Sequence, residues 1–275
     1  MGGMSERFVI RLDGYDLVGE RWAGDDELVV LLHEGVCDRR GWREVAGLLA
    51  PRVTVVAYDR RGYGESPVSG SPFRDVDDLG SVLDAENGKR AWLVGASAGG
   101  GLALDMALLA PDRVAGLVLI GTAVSGAPEP VLDEVLQRVD AELEAAYASG
   151  DPDEINRLET RLWLDGPYSP EGRVSGPARE LALDMNAIIV RNAEHDGEGD
   201  ADVNAWARVE EVTHPATVAC GSLDARFLID RGKDLAARLP NGRYVELPGV
   251  AHQPYLEQPE AVAGLILSAL RPAGA

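Results

Sequence analysis

The chain has 275 residues, 45% of them hydrophobic, which is enough for one large α/β domain with an inserted subdomain. Its formal net charge of −20 argues against nucleic acid and anionic membrane as partners, since both repel such a surface. Cys37 and Cys220 lie far apart and form no metal-ligand pattern, residues 1–7 hold no apolar signal core, and no apolar run approaches a membrane span. A reduced, cytoplasmic setting and a small-molecule partner are therefore expected. Neither internal repeats nor low-complexity segments are present.

In chain order, Phe8–Leu12 and Asp16–Trp22, joined through Asp13-Gly14-Tyr15, predict a β-hairpin at a sheet edge. Leu28–Leu32 (LVVLL) is the continuous apolar run of a parallel strand covered on both faces, and it ends in His33-Glu34-Gly35-Val36-Cys37-Asp38. Asp38 is suited to cap the next helix, whose Trp42, Val45, Leu48 and Leu49 form an apolar stripe. Val53–Ala57 predicts another buried strand, followed by Asp59-Arg60-Arg61-Gly62-Tyr63-Gly64-Glu65-Ser66 and a helix over Val76–Leu83.

Trp92–Val94 end a further strand, and Leu102–Leu109 has the apolar density of a packed helix. Gly95-Ala96-Ser97-Ala98-Gly99 between them fits G-x-S-x-G, a sharp turn that lifts the serine hydroxyl above the sheet. A side chain at Gly95 or Gly99 would collide with the neighbouring strand or helix. The plainer use of Ser97 is as a helix N-cap. Val114–Ile120 is one more buried strand, closing at Gly121-Thr122.

From Ala123 to about Val212 the β-rich runs stop. Val131–Tyr147, Ile155–Leu164 and Ala178–Arg191 read as helices, punctuated by Gly166-Pro167 and Gly176-Pro177. Strand and helix alternate again at Ala216–Ala219, Asp230–Leu239, Arg243–Leu247 and Glu260–Leu270. The pattern predicts an α/β core from residues 1–122 and 213–275, with residues 123–212 as an inserted helical cap.

In open α/β sheets, sites gather beyond the carboxyl ends of the strands. Ser97, Asp224 and His252 each follow a predicted strand, so all three are expected at that one edge. A serine hydroxyl is a poor nucleophile until a base takes its proton; imidazole can do so near neutral pH, and a carboxylate holds it in the useful tautomer. The chain order Ser, Asp, His suits this elbow. His214 precedes a strand, His195 lies in a polar part of the inserted segment, and Asp230 falls inside a helix. Turnover governed by a neutral His252 is expected to fall on acidification through about pH 6 to 7.

On LLHEG (Leu31–Gly35), DRRGYGES (Asp59–Ser66), GASAG (Gly95–Gly99), GSLD (Gly221–Asp224) and GVAH (Gly249–His252), in that order, the chain resembles the α/β-hydrolase superfamily, in its esterase-like, helical-capped branch. The resemblance implies an eight-stranded, mostly parallel sheet with helices on both faces and a cap after the sixth strand. It implies an oxyanion hole from the backbone N–H groups of Gly35 and Ala98, and a backbone-ordering role for His33. It further implies a serine hydrolase without metal or cofactor, acting on a carboxylic ester, thioester or lactone. C–C bond hydrolysis, a non-hydrolytic biosynthetic step and a slow-turnover receptor stand as alternatives. Val36 and the apolar cap residues Trp163, Leu164, Tyr168, Met185 and Ile188 are candidate substrate contacts, unless the cap residues simply pack their helices together.

Glu34 departs from the resemblance, which has a small residue there. Two like charges about 6 Å apart at an effective dielectric near 20 repel by roughly 3 kcal/mol, or about a hundredfold in rate. A bare Glu34 facing the hole would thus cripple ester hydrolysis. The expected resolution is an ion pair with Arg60 or Arg61; the others are a polar or cationic substrate group, a protonated Glu34, or a reaction that builds no oxyanion.

Overall fold

The computed structural model describes residues 4–67, 73–192 and 203–271. Strands β1 (Ser5–Leu12), β2 (Tyr15–Trp22), β3 (Leu28–Leu32), β4 (Thr54–Tyr58), β5 (Ala91–Ala96), β6 (Val114–Ile120), β7 (Ala216–Gly221) and β8 (Gly242–Leu247) form one sheet. Its order is β1-β2-β4-β3-β5-β6-β7-β8. β1 pairs β2, and β2 pairs β4, antiparallel; the remaining neighbours are parallel.

Helices α1 (Arg43–Leu49), α2 (Asp75–Ala85), α3 (Ala98–Leu109), α4 (Glu134–Ser149), α5 (Pro152–Thr160), α6 (Pro177–Arg191), α7 (Ala205–Arg208), α8 (Arg226–Arg238), α9 (Pro254–Glu257) and α10 (Pro259–Leu270) surround it. Strands β3, β4, β5 and β7 are buried throughout because both faces of the sheet are covered. Along β3 the side chains alternate between two cores. Leu28, Val30 and Leu32 meet α2 and α3, whereas Val29 and Leu31 meet α1 and α10.

Between β6 and β7 the chain runs through α4, α5 and α6, capped by Asp133 on α4 and Asp151 on α5. The helix predicted over Ile155–Leu164 ends early, at Thr160, and widens into a π turn over Arg161–Asp165. The buried Asp165 carboxylate explains the change. It accepts N–H bonds from Gly172 and Val174 and pairs with Arg179, which folds the following loop back on the turn. Helix α8 begins at Arg226, one turn before its predicted start, where Leu228 packs on Leu136 and Leu162 of the insertion. By contrast Ala205, Val209 and Val212 pack into the core beneath the sheet.

Because β3 and β5 to β8 are parallel, the loops that follow them share one edge. Glu34, Ser97, Gly121, Asp224 and His252 all lie on those loops.

Candidate active site

Ser97 is the single residue between β5 and α3, with φ 48° and ψ −116°. Few residues with a side chain adopt positive φ, and such a conformation costs about 1–3 kcal/mol unless its surroundings enforce it. Here they do. The Ser97 N–H donates to the Ile120 carbonyl at 2.8 Å, and the Ser97 carbonyl accepts from Ala123 at 3.1 Å. A Cβ on Gly95 would strike the Gly99 backbone, and one on Gly99 the Leu32 backbone, so the helix sits this close only with glycine at both places. The Ser97 side chain makes no capping bond, so the N-cap use of this serine is not the one adopted.

Asp224 and His252 meet across 28 residues of chain. The imidazole Nδ1 lies 2.8 Å from Asp224 Oδ2, and Asp224 Oδ1 accepts the Ala225 N–H at 2.7 Å. Both side chains are buried. A Cβ on Gly121 (φ +52°) would fall 2.8 Å from the His252 ring, so this loop is glycine to admit the imidazole. The Trp163 ring covers His252 with centroids 4.7 Å apart, and the His252 N–H donates to the Trp163 carbonyl at 3.2 Å. Burial alone would depress this imidazole, but the charge and hydrogen bond of Asp224, joined by the charge of Glu34, raise it to about 9. The ring thus stands above the ordinary imidazole range behind the expected inflection at about pH 6 to 7, because two carboxylates, not one, act on it.

Glu34 does not pair with Arg60 or Arg61, and that expectation is corrected. Arg60 pairs with Asp75, and Arg61 with Asp78, on α2. The reason is that Glu34 turns into the core, where it is 1% exposed. Its Oε1 accepts from Gln253 Nε2 and from the Cys37 thiol at 3.3 Å, while its Oε2 lies 3.6 Å from His252 Nε2. Burial pushes the Cys37 thiol well up, so that sulfur stays protonated as a donor.

His33 Nε2 accepts the Arg60 N–H at 2.9 Å, and its Nδ1 lies 2.8 Å from the Glu34 carbonyl, tying the loops after β3 and β4 together. Gly35 and Val36 are half-buried beside it, and the space where a Gly35 Cβ would go is open. Ala98 opens α3 and also borders a cavity of about 280 Å³ lined by Arg60, Val76, Leu102, Val124 and Ser125. A larger groove, about 840 Å³, lies at the opposite edge of the sheet against Trp92, Pro215 and Arg271.

The Tyr168 hydroxyl donates to Asp133 at 2.8 Å within the cluster of Leu136, Leu162 and Phe227. Leu164 and Met185 are fully buried, and Met185 belongs to the core on the α1 and α10 face; Ile188 is half-buried. His214 Nε2 contacts the Pro111 carbonyl at 3.0 Å, at the opposite edge, and His195 lies outside the described residues.

Sequence reasoning missed Gln253, Cys37 and a strap that ties the insertion to the His252 loop. In the strap, Arg173 pairs with Glu257 at 2.6 Å and donates to the Leu164 and Asp165 carbonyls, while Glu257 accepts the Ala251 N–H at 2.8 Å. Nothing local marks Arg173. Among the described residues, no group of three or more His, Cys, Asp or Glu is arranged to hold a metal ion, and no helix is long and apolar enough to cross a membrane.

Residues 29–265 match the model of the alpha/beta hydrolase family. The pimeloyl-(acyl-carrier protein) methyl ester esterase of Chromobacterium violaceum is 30% identical over 235 residues, covering 83% of this chain and 88% of that protein. A hydrolase from Pseudomonas aeruginosa PA01 superimposes with a TM-score of 0.74 at 25% identity, covering 99% of both chains. A bromoperoxidase from Bacillus anthracis reaches a TM-score of 0.78 over 97% of this chain and all of its own, but at 19% identity it speaks for the fold alone. The relatives support a general hydrolytic role, and by its family match, its sheet and its loops the chain belongs to the alpha/beta hydrolase family.

Proposed function

We propose that the chain is a serine hydrolase that cleaves a carboxylic ester, thioester or lactone through an acyl-enzyme. The observation that carries this reading is the buried Asp224–His252 pair, at 2.8 Å, on the sheet edge where Ser97 occupies a strained elbow with its hydroxyl free of capping duty. Ser97 attacks the carbonyl, and His252 takes its proton through Nε2 and returns it to the leaving group. Asp224 holds the Nδ1–H tautomer and balances the imidazolium. The N–H groups of Gly35 and Ala98 receive the developing oxyanion, and water resolves the acyl-enzyme. Residues 123–212 act as the cap, whose Trp163 covers the His252 ring, and Val36 follows Gly35 on the loop after β3. The esterase from C. violaceum supports the ester class without naming this chain's substrate.

A fluorophosphonate probe tests the reading, because only an activated hydroxyl reacts fast. Peptide mass spectrometry is expected to find the label on Ser97 alone. Labelling that survives Ser97→Ala, or that is absent from the wild type, overturns the assignment.

A further inference from the structure

The two oxygens of the Glu34 carboxylate are held unequally. Gln253 and Cys37 donate to Oε1, whereas Oε2 is buried with no hydrogen-bond donor among the described residues and stands 3.6 Å from His252 Nε2. A buried carboxylate oxygen without a donor is unfavourable and is ordinarily eliminated. The groups around the Glu34 carboxylate are Cys37, Gln253, His252 and the Tyr255 hydroxyl, which is within hydrogen-bonding reach of it, and Trp163 lies over the imidazole. Burial keeps the Cys37 thiol and the Tyr255 phenol neutral, so neither adds a negative charge there, and among the described residues the ionisable group that Oε2 faces is the His252 imidazole. The charges acting on the imidazole are Asp224 and Glu34.

We propose that Glu34 determines specificity: its open oxygen accepts a hydrogen bond from a hydroxyl or protonated amine on the substrate's leaving group. The inference rests on the Ser97–His252–Asp224 reading above. Nε2 is the atom that hands the proton to the leaving oxygen, so an acceptor beside Nε2 borders the leaving group rather than the far end of the acyl chain. A donor that engages Oε2 satisfies the orphaned oxygen and draws the carboxylate's charge away from the imidazole. His252 then releases its proton more readily, and the base is switched on by the substrate that fits. A leaving group lacking the donor leaves Glu34 to hold His252 protonated, and an anionic leaving group is repelled.

Three butyrate esters of similar size test this. They are the 2-hydroxyethyl ester, the 2-(dimethylamino)ethyl ester, which is protonated at neutral pH, and the 2-methoxyethyl ester, which has no donor. Wild type is expected to favour the first two by about tenfold or more in kcat/KM, the worth of one charge-assisted hydrogen bond. Glu34→Gln keeps the shape and the Gln253 contact but presents an amide where the acceptor was. It is expected to reduce the preference below about threefold, and to lower the midpoint of fluorophosphonate labelling against pH by about one unit. Glu34→Asp, which withdraws the acceptor, is the second variant and is expected to weaken the preference without erasing it. A purely structural Glu34 would move stability but neither the preference nor the midpoint.

Wild type without a donor preference overturns the inference, as does a preference that survives Glu34→Gln. The wild-type arm decides even where a variant fails to fold. Ser97 labelling on the same samples separates the two levels: labelled Ser97 without the preference removes only the role of Glu34, whereas unlabelled Ser97 removes the triad and this inference with it.

Discussion

Two buried clusters of charge both draw on the loop after β3, the first joining it to β2 and the loop after β4 and the second to the loops after β7 and β8, and they are wired differently. In the first, Arg39, 2% exposed, binds Glu20, Asp59 and Glu65, with Arg43 also on Glu20 and Arg7 on Glu65. Both Asp59 oxygens are taken, Oδ1 by the Arg39 N–H and Oδ2 by the Arg39 guanidinium and the Glu65 N–H. Glu20 is held below its usual range despite burial, through its bonds to Arg43 and Arg39, and Glu65 is drawn down to about 2 by Arg39 and Arg7. Burial still outweighs Arg39 at Asp59, which rises to about 6. In the second cluster two carboxylates, Asp224 and Glu34, share one imidazole, and one Glu34 oxygen stays bare. A guanidinium does not release its proton and an imidazole does. The first cluster therefore fixes charge and holds loops, while the second stores a proton that can move.

The largest effects should fall on the second cluster's chemistry. His252→Ala is expected to lower kcat on a simple ester by roughly four to six powers of ten, whereas His214→Ala leaves it near wild type. Equal losses in steady-state assays would mean that the base is misassigned. Arg39→Met strips the first cluster of its shared cation and should destabilise the fold by about 3–5 kcal/mol in urea titration, because it leaves the buried Asp59 carboxylate without a counter-cation. Ser97 labelling per folded molecule should be retained. A collapse of labelling at unchanged stability would dissolve the distinction between the clusters.

The proton stored on His252 gives the next effect. With the imidazole raised to about 9, kcat/KM on an ester without a leaving-group donor should climb with pH toward a midpoint near 9. The same shift has a stability sign. A raised imidazole stabilises when protonated, so its contribution, about 3 kcal/mol, is complete below about pH 6.5 and is lost as pH rises through about 9. Urea midpoints measured from pH 6 to 10 should fall over that window in wild type, and over a lower one in Glu34→Gln.

The smallest effects separate two aromatic residues of the insertion. Trp163→Ala uncovers the His252 ring and should change relative kcat/KM across esters of increasing acyl length. Tyr168→Phe gives up the bond to Asp133, worth about 1 kcal/mol, and should lower stability alone. A selectivity change as large in Tyr168→Phe as in Trp163→Ala would place both residues in the pocket wall.

Much of this arrangement was legible in the sequence, because it is carried by local patterns. LVVLL and VAGLVLI announce strands covered on both faces, and a strand predicted before each of Ser97, Asp224 and His252 puts each at the carboxyl edge. Gly95 and Gly99 flank Ser97 because two backbones approach there, and that too is a local requirement. The environment of Glu34 was not legible. Its neighbours in sequence include no cation, Arg60 and Arg61 offered partners on the next loop, and the residue that holds it, Gln253, lies 219 positions away. Nor did spacing show that Arg60 and Arg61 were already engaged by Asp75 and Asp78. Sequence periodicity reports which face of an element is buried; it does not report through-space distances between charges or how much water each has lost. Those two quantities set the base strength of His252, and only the tertiary structure decides them.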